Sequence, residues 1–132
     1  PRRGAEPMLN FPAATRIYVA SEPIDGRQGF DALAAWVEAG GLDVYSGHVF
    51  VFLSRRMTHL KALTWSRGGF LLLCKRLEQG RFRFPARAPG SRTVTIDATD
   101  LAMMLDGIDI EKVRKPKSWK PVSRGIDTEL PT

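Results

Sequence analysis

The sequence predicts an α+β fold: a single domain in which a twisted antiparallel β-meander carries two packed helices. Three observations lead there. Residues 59–85 alternate apolar and polar side chains between breaks at Arg67-Gly68-Gly69 and Glu78-Gln79-Gly80, the pattern of successive strands joined by turns. His48-Val49-Phe50-Val51-Phe52-Leu53 is an unbroken apolar run, as in a central strand buried on both faces. Two further segments repeat their apolar residues at helical spacing.

Taken in order, residues 1–14 hold Pro, Gly and Ala with little periodicity and read as a flexible arm. Residues 16–20 are rich in β-formers and give the first strand, which Glu22-Pro23 ends. Asp25 then reads as a helix cap, with Gln28 three residues on to complete a reciprocal capping pair. Phe30, Leu33, Ala34 and Val37 form that helix's apolar stripe, and Gly40-Gly41 stops it. Ser46-Gly47 turns the chain into the central strand. Residues 54–58 make a basic hairpin tip, and residues 59–65 return antiparallel. In the next strand Leu71, Leu73, Lys75 and Leu77 share one face, with Phe70, Leu72, Cys74 and Arg76 on the other. Arg81-Phe82-Arg83-Phe84 follows as the last meander strand, with both rings to one side and both guanidinium groups to the other. Residues 85–91 form a loop and 92–96 a β-branched strand. Asp97 caps the second helix, whose stripe is Leu101, Met104, Leu105 and Ile108, with Gly107 near its end. The domain is expected to span residues 15–110. Residues 111–132 are polar, basic and Pro-rich, the composition of a disordered tail.

A chain of 132 residues can bury a real core in one domain. No apolar run approaches the ~20 residues of a membrane span. Pro1-Arg2-Arg3-Gly4 leads into no apolar signal region, so a cytoplasmic location is expected. Cys74 is the sole cysteine, which rules out an internal disulfide; among leucines it reads as a small core residue. The formal charge is +6 and the sequence pI about 10.0, but the distribution says more. Between Arg55 and Arg92 there are ten bases and one acid, Glu78; Asp97 to Glu111 holds five acids and no base; Lys112 to Lys120 adds five bases. Blocks of this kind suit a polyanionic partner such as DNA or RNA.

Catalysis needs groups that converge, and none are legible. His48 and His59 start adjacent strands without the Cys, His or Glu spacing of a zinc site. Asp97, Asp100, Asp106 and Asp109 lie on or around one short helix, where acids near its start favour the helix dipole. A two-metal site gathers carboxylates from separate elements instead. Gly68-Gly69 lacks the Lys-Ser/Thr of a phosphate loop. The expectation is a non-enzymatic protein with no cofactor and no metal. Phe50, Phe52, Phe82 and Phe84 read as core. Trp65, on a face with Lys61 and near Arg67, suits base stacking or a partner hot spot, and Trp119 sits in the basic tail.

Asp25-Gly26-Arg27-Gln28-Gly29-Phe30-Asp31-Ala32-Leu33, then Ser46-Gly47-His48-Val49-Phe50-Val51-Phe52, then Lys61, Trp65, Gly69-Phe70, the run from Lys75 to Phe82 and Pro85 together resemble the small TnpB accessory protein of insertion sequences of the sixty-six family. That protein is encoded beside a separate, larger transposase and is distinct from the RNA-guided nuclease of the same name. The family pattern has Met-Arg-Lys where this chain has Gly26-Arg27-Gln28, a Gly-Asp hairpin at Met57-Thr58, and Trp-Asp at Trp65-Ser66. The resemblance implies a non-catalytic accessory role in transposition. Joined to the charge pattern, it gives the expectation that Arg55, Arg56, Lys61, Arg67, Lys75, Arg76, Arg81 and Arg83 contact DNA phosphates from a basic sheet face. The alternative is docking on the element's transposase through Trp65 and Phe70, without direct DNA contact.

Overall fold

The computed structural model describes residues 14–85 and 90–107. Five strands and two helices follow in the order β1 (Ile17–Ala20), α1 (Phe30–Ala39), β2 (Val49–Leu53), β3 (His59–Ser66), β4 (Gly69–Arg76), β5 (Thr93–Ile96) and α2 (Ala98–Leu105). The sheet order is β4-β3-β2-β1-β5. The fold is α+β, as the sequence implies. The expected arm at 1–14, apart from Ala14, the tail at 111–132, Ile108 and Trp119 lie outside the described residues.

β2 takes the centre, and all five of its residues are buried. Its unbroken apolar run is possible because the sheet carries a helix on each side. On one side Phe50, Phe52 and Leu63 pack with Leu33 and Val37 of α1. On the other, Ile17, Val49, Val51, Leu60 and Ala62 pack with Leu101 and Met104 of α2. Arg92 ties β5 to α1: its guanidinium lies 3.8 Å over the Trp36 ring and donates to the Trp36 carbonyl at 2.6 Å. A cation there also complements the negative end of the α1 dipole.

The sheet departs from an all-antiparallel meander at one pair. β1 and β2 run parallel, with Ile17 opposite Val49 and Val19 opposite Val51, while the other pairs are antiparallel. The cause is the connection. α1 lies between the two strands, and a helical crossover returns the chain to the same end of the sheet.

Arg81-Phe82-Arg83-Phe84 is not a strand. The alternation survives as burial: Phe82 is 1 % exposed while Arg81 and Arg83 face solvent. After β4 the Leu77 N–H bonds the Thr58 carbonyl, and Gly80, at φ 78°, turns the chain back over the α2 side of the sheet. There the Phe82 N–H donates to the Met57 carbonyl at 2.6 Å. A position along the outer edge of β4 would have left both rings half in water; crossing the face buries Phe82 among Leu53, Leu60 and Met104.

Two smaller expectations also change. Asp25 does not cap α1, which starts at Phe30 with Gly29 in the cap position and no side-chain cap. Asp25 instead accepts from the Arg27 backbone N–H at 2.9 Å, closing a turn ahead of the helix. Phe30, at the first helical residue, is 46 % exposed rather than core. Cys74 is exposed, because β4 is an edge strand and its far end lies beyond the cover of α1.

The cap of α2 is as expected. Asp97 accepts from the Asp100 N–H at 2.7 Å, and the Asp100 carboxylate reaches back to the Asp97 N–H at 3.4 Å. An eight-residue helix is marginal without such help. Asp97→Ala is expected to lower stability by about 1 kcal/mol, read as a lower urea midpoint with unchanged slope.

Candidate nucleic-acid interface

The β2–β3 hairpin and the turn after β1 meet at one end of the sheet. The Ile24 N–H donates to the Leu53 carbonyl at 2.9 Å, and Ile24 forms an isolated parallel bridge with Ser54. Within the hairpin Ser54 and His59 are doubly tied: Ser54 N–H to the His59 carbonyl at 3.0 Å, and His59 N–H to the Ser54 hydroxyl at 3.1 Å. Met57 takes a left-handed conformation at φ 63°, the backbone that glycine adopts without cost. Between these two turns lies a cleft of about 610 Å³, lined by Ile24, Asp25, Gly26, Arg27, Ser54, Arg55, Arg56, Thr58 and His59.

The charges in this cleft are unequal. Arg55 and Arg56 are exposed, and neither has an ion-pair partner among the described residues. Arg27 is paired: its guanidinium donates to both carboxylate oxygens of Asp25, at 3.1 and 2.8 Å. The hydrogen bonds from the Arg27 side chain and then from its backbone hold the Asp25 carboxyl well below the usual carboxylate range; burial opposes this weakly, and Arg55 adds a further attraction. The same hydrogen bond raises the Arg27 guanidinium above its ordinary value. Because Asp25 has a depressed folded pKa, the pair's contribution is present above the unfolded carboxyl pKa and is lost only as acid reaches the lowered value. The Asp25–Arg27 pair therefore keeps its charges throughout the neutral range.

The eight cations expected to contact DNA divide into three groups. Arg55, Arg56, Arg76, Arg81 and Arg83 gather around the hairpin end. Arg76 lies opposite His59 and pairs with Glu78 at 2.9 Å. Arg81 and Arg83 are brought there by the bond between Phe82 and Met57. Lys61 and Lys75 form the second group, each bonded to a backbone carbonyl: Lys61 to Gln28 ahead of α1, and Lys75 to Leu105 in the last turn of α2. They point to opposite sides of the sheet, one toward each helix, so these two cations do not share one sheet face. Arg67 stands alone at the β3–β4 turn, with φ 49°. Eight-residue strands separate it from the hairpin end by on the order of 25 Å.

Sequence reasoning missed Asp25, Gly26, Arg27, Thr58 and His59 as neighbours of Arg55 and Arg56. The available signal was Gly29, which moves the helix start downstream and frees Asp25-Gly26-Arg27 to be a turn. His48 and His59 lie at opposite ends of the sheet, since β2 and β3 run antiparallel. His48 accepts from the Arg16 N–H at 3.0 Å and packs edge-on to Tyr18. Among the described residues no three His, Cys, Asp or Glu side chains are placed to hold a metal ion, and no helix is long and apolar enough to cross a membrane.

Trp65 and Phe70 fall on the α1 side, away from the cleft. Their rings are 5.0 Å apart and edge-on. Tyr45 joins both, at 5.0 and 5.5 Å, and Phe30 meets Phe70 at 5.8 Å. Tyr45 is 59 % exposed, so this cluster has a solvent-facing side.

No solved structure matches the chain. Two uncharacterised proteins of Sinorhizobium fredii (strain NBRC 101917 / NGR234) do. The chain is 34% identical to y4jC over 118 residues, covering 89% of this chain and 96% of that protein. It is 36% identical to y4hO over 120 residues, covering 89% of this chain and 100% of that protein. The family model described as IS66 Orf2-like protein matches residues 15–115, which include the sheet, both helices and the hairpin end. The chain belongs to the IS66 Orf2-like family, and with that family comes an accessory role in transposition.

Proposed function

We propose that this protein is a non-catalytic, cytoplasmic accessory factor in transposition that binds DNA through the hairpin end of its sheet. The observation that carries the reading is the placement of Arg55 and Arg56: exposed, without an acid partner among the described residues, and in one cleft with Arg27. Arg81 and Arg83, exposed on either side of the Phe82 bond to Met57, add charge at the same end of the sheet. Neither helix offers a basic face to a groove: the charged residues of α1 are Asp31 and Glu38, and the charged residue of α2 is Asp100. The contacts are therefore phosphate contacts with little sequence preference. A DNA-binding titration at several salt concentrations tests this. Four phosphate contacts correspond to a log–log slope of roughly −3.6. Absence of binding, or a flat salt dependence, would overturn the proposal.

A second reading, docking on the element's transposase, is favoured by the exposed ring cluster of Phe30, Tyr45, Trp65 and Phe70. Half-exposed aromatic groups of this kind anchor protein interfaces. Under it, the protein co-purifies with the transposase after nuclease treatment, and Trp65→Ala reduces that retention at least about tenfold, the effect of one hot-spot residue. Retention unchanged by Trp65→Ala would exclude the cluster as the anchor.

A further inference from the structure

The hairpin-end cleft has a shape that phosphate contacts along a duplex do not require. Diesters along a duplex lie on a convex surface and carry one charge each, and exposed arginines on a ridge are enough to meet them. A strand end is different. Its phosphomonoester carries close to two charges at neutral pH and three free oxygens, on a group that can project into a concavity.

We propose that this cleft takes the terminal phosphate of a DNA strand together with its attached nucleotide; the proposal rests on the DNA-binding reading and deepens it. The cleft is open to solvent on its outer side, and its volume of about 610 Å³ is room enough for a nucleotide-sized group. Arg55 and Arg56, without an ion-pair partner among the described residues, supply guanidinium groups, the side chain best matched to a phosphate's geometry. The Thr58 hydroxyl and His59 Nδ1 lie 3.2 Å apart on the same wall and add hydrogen-bonding groups. Gly26 keeps the space open. A Cβ there would meet Ser54 Cβ at 3.4 Å and the His59 ring at 3.9 Å, so a longer side chain would project into the cleft. Asp25 is the one opposing charge lining the cleft among the described residues, and its carboxylate is already held by Arg27. The backbone of the walls is fixed in advance by the bonds joining Ile24 to Leu53 and Ser54 to His59, so the ordering that binding requires falls on the Arg55 and Arg56 side chains.

The test compares three DNAs of one sequence by fluorescence anisotropy, using the whole chain: a duplex closed at both ends by loops, an open duplex with 5′-hydroxyl ends, and an open duplex with 5′-phosphate ends; a fourth arm places the phosphate at the 3′ ends. The expected result is at least about tenfold tighter binding to one phosphorylated end than to the closed or hydroxyl-ended duplex, the effect of one charge-assisted hydrogen bond. Gly26→Leu and Arg55→Gln should each reduce that preference for the phosphorylated end. Arg55→Gln alters only an exposed side chain, so its folding is secure. Competition by inorganic phosphate at millimolar concentration, without the nucleotide, would assign recognition to the phosphate alone and overturn the nucleotide part. Equal affinity for all DNAs would overturn the inference while leaving DNA binding intact. Binding to none of them would remove the DNA reading itself.

Discussion

Phe82→Ala is expected to destabilise the protein by about 3–5 kcal/mol, measured as a fall in the urea midpoint at constant slope. The ring is 1 % exposed and lies among Leu53, Leu60, Leu101 and Met104, with Leu77 and Phe84 packed alongside. Its removal forfeits the transfer energy of a large side chain and leaves a cavity. The walls of that cavity belong to paired strands on one side and α2 on the other, so it cannot readily collapse. Domains of this size have about 5–15 kcal/mol in hand, so the loss is a large share of the total. Phe84, only half-buried, should cost less, and Arg81→Ala, fully in solvent, should stay within about 0.5 kcal/mol. A change below about 1 kcal/mol for Phe82→Ala would mean that the stretch after β4 is not part of the core.

That residue also shows what kind of information alternation carries. The Arg-Phe-Arg-Phe pattern correctly says which side chains face the core. It does not say whether the backbone pairs with a strand, because period-two burial needs only an extended chain against an apolar surface. The same distinction applies at Cys74. Its face was legible from the spacing with Phe70 and Leu72. Its exposure was not, because that depends on how far α1 reaches over an edge strand. The signals that were fully legible are local. Val49 to Leu53 must be covered on both faces, and Asp97 with Asp100 satisfies the first amides of α2 within four residues. The parallel pairing of β1 with β2 is set by α1 between them, and a strand–helix–strand order was present in the sequence as the warning.

Charge was legible as a total and opaque as a surface. Lys61 and Lys75 sit in the basic segment, yet each ammonium is bonded to a carbonyl beside a helix. These bonds hold α1 and α2 to the sheet. Arg67 shares the segment but stands at the other end of two long strands. Only the chain path decides which cations become neighbours. Here the turn after β1 and the β2–β3 hairpin form one cleft, which brings in Arg27 from outside the basic segment, and the return after β4 meets the hairpin at Met57 and Thr58.

Reversing both hairpin charges, Arg55→Glu with Arg56→Glu, is expected to weaken DNA binding about 100-fold at low salt, roughly tenfold for each residue, and to reduce the salt slope by about two. Both residues are exposed on a hairpin tip and without an acid partner among the described residues, so folding stability should change by less than about 0.5 kcal/mol. This separates lost contact from lost fold. The position controls sharpen it. Arg67→Glu alters the net charge by the same amount per residue, on the order of 25 Å away, beyond a Debye length at physiological salt. Its effect should therefore be small. Lys75→Met should lower stability, through the lost bond to Leu105, and leave the salt slope unchanged. Asp25→Asn should act in the opposite direction to the hairpin reversal, tightening DNA binding, since it removes the only carboxylate lining the cleft among the described residues and releases Arg27. If Arg67→Glu proved as damaging as the hairpin pair, net charge rather than a located surface would be responsible. A ranking by position, with equal charge changes giving unequal losses, is what a built interface at the hairpin end requires.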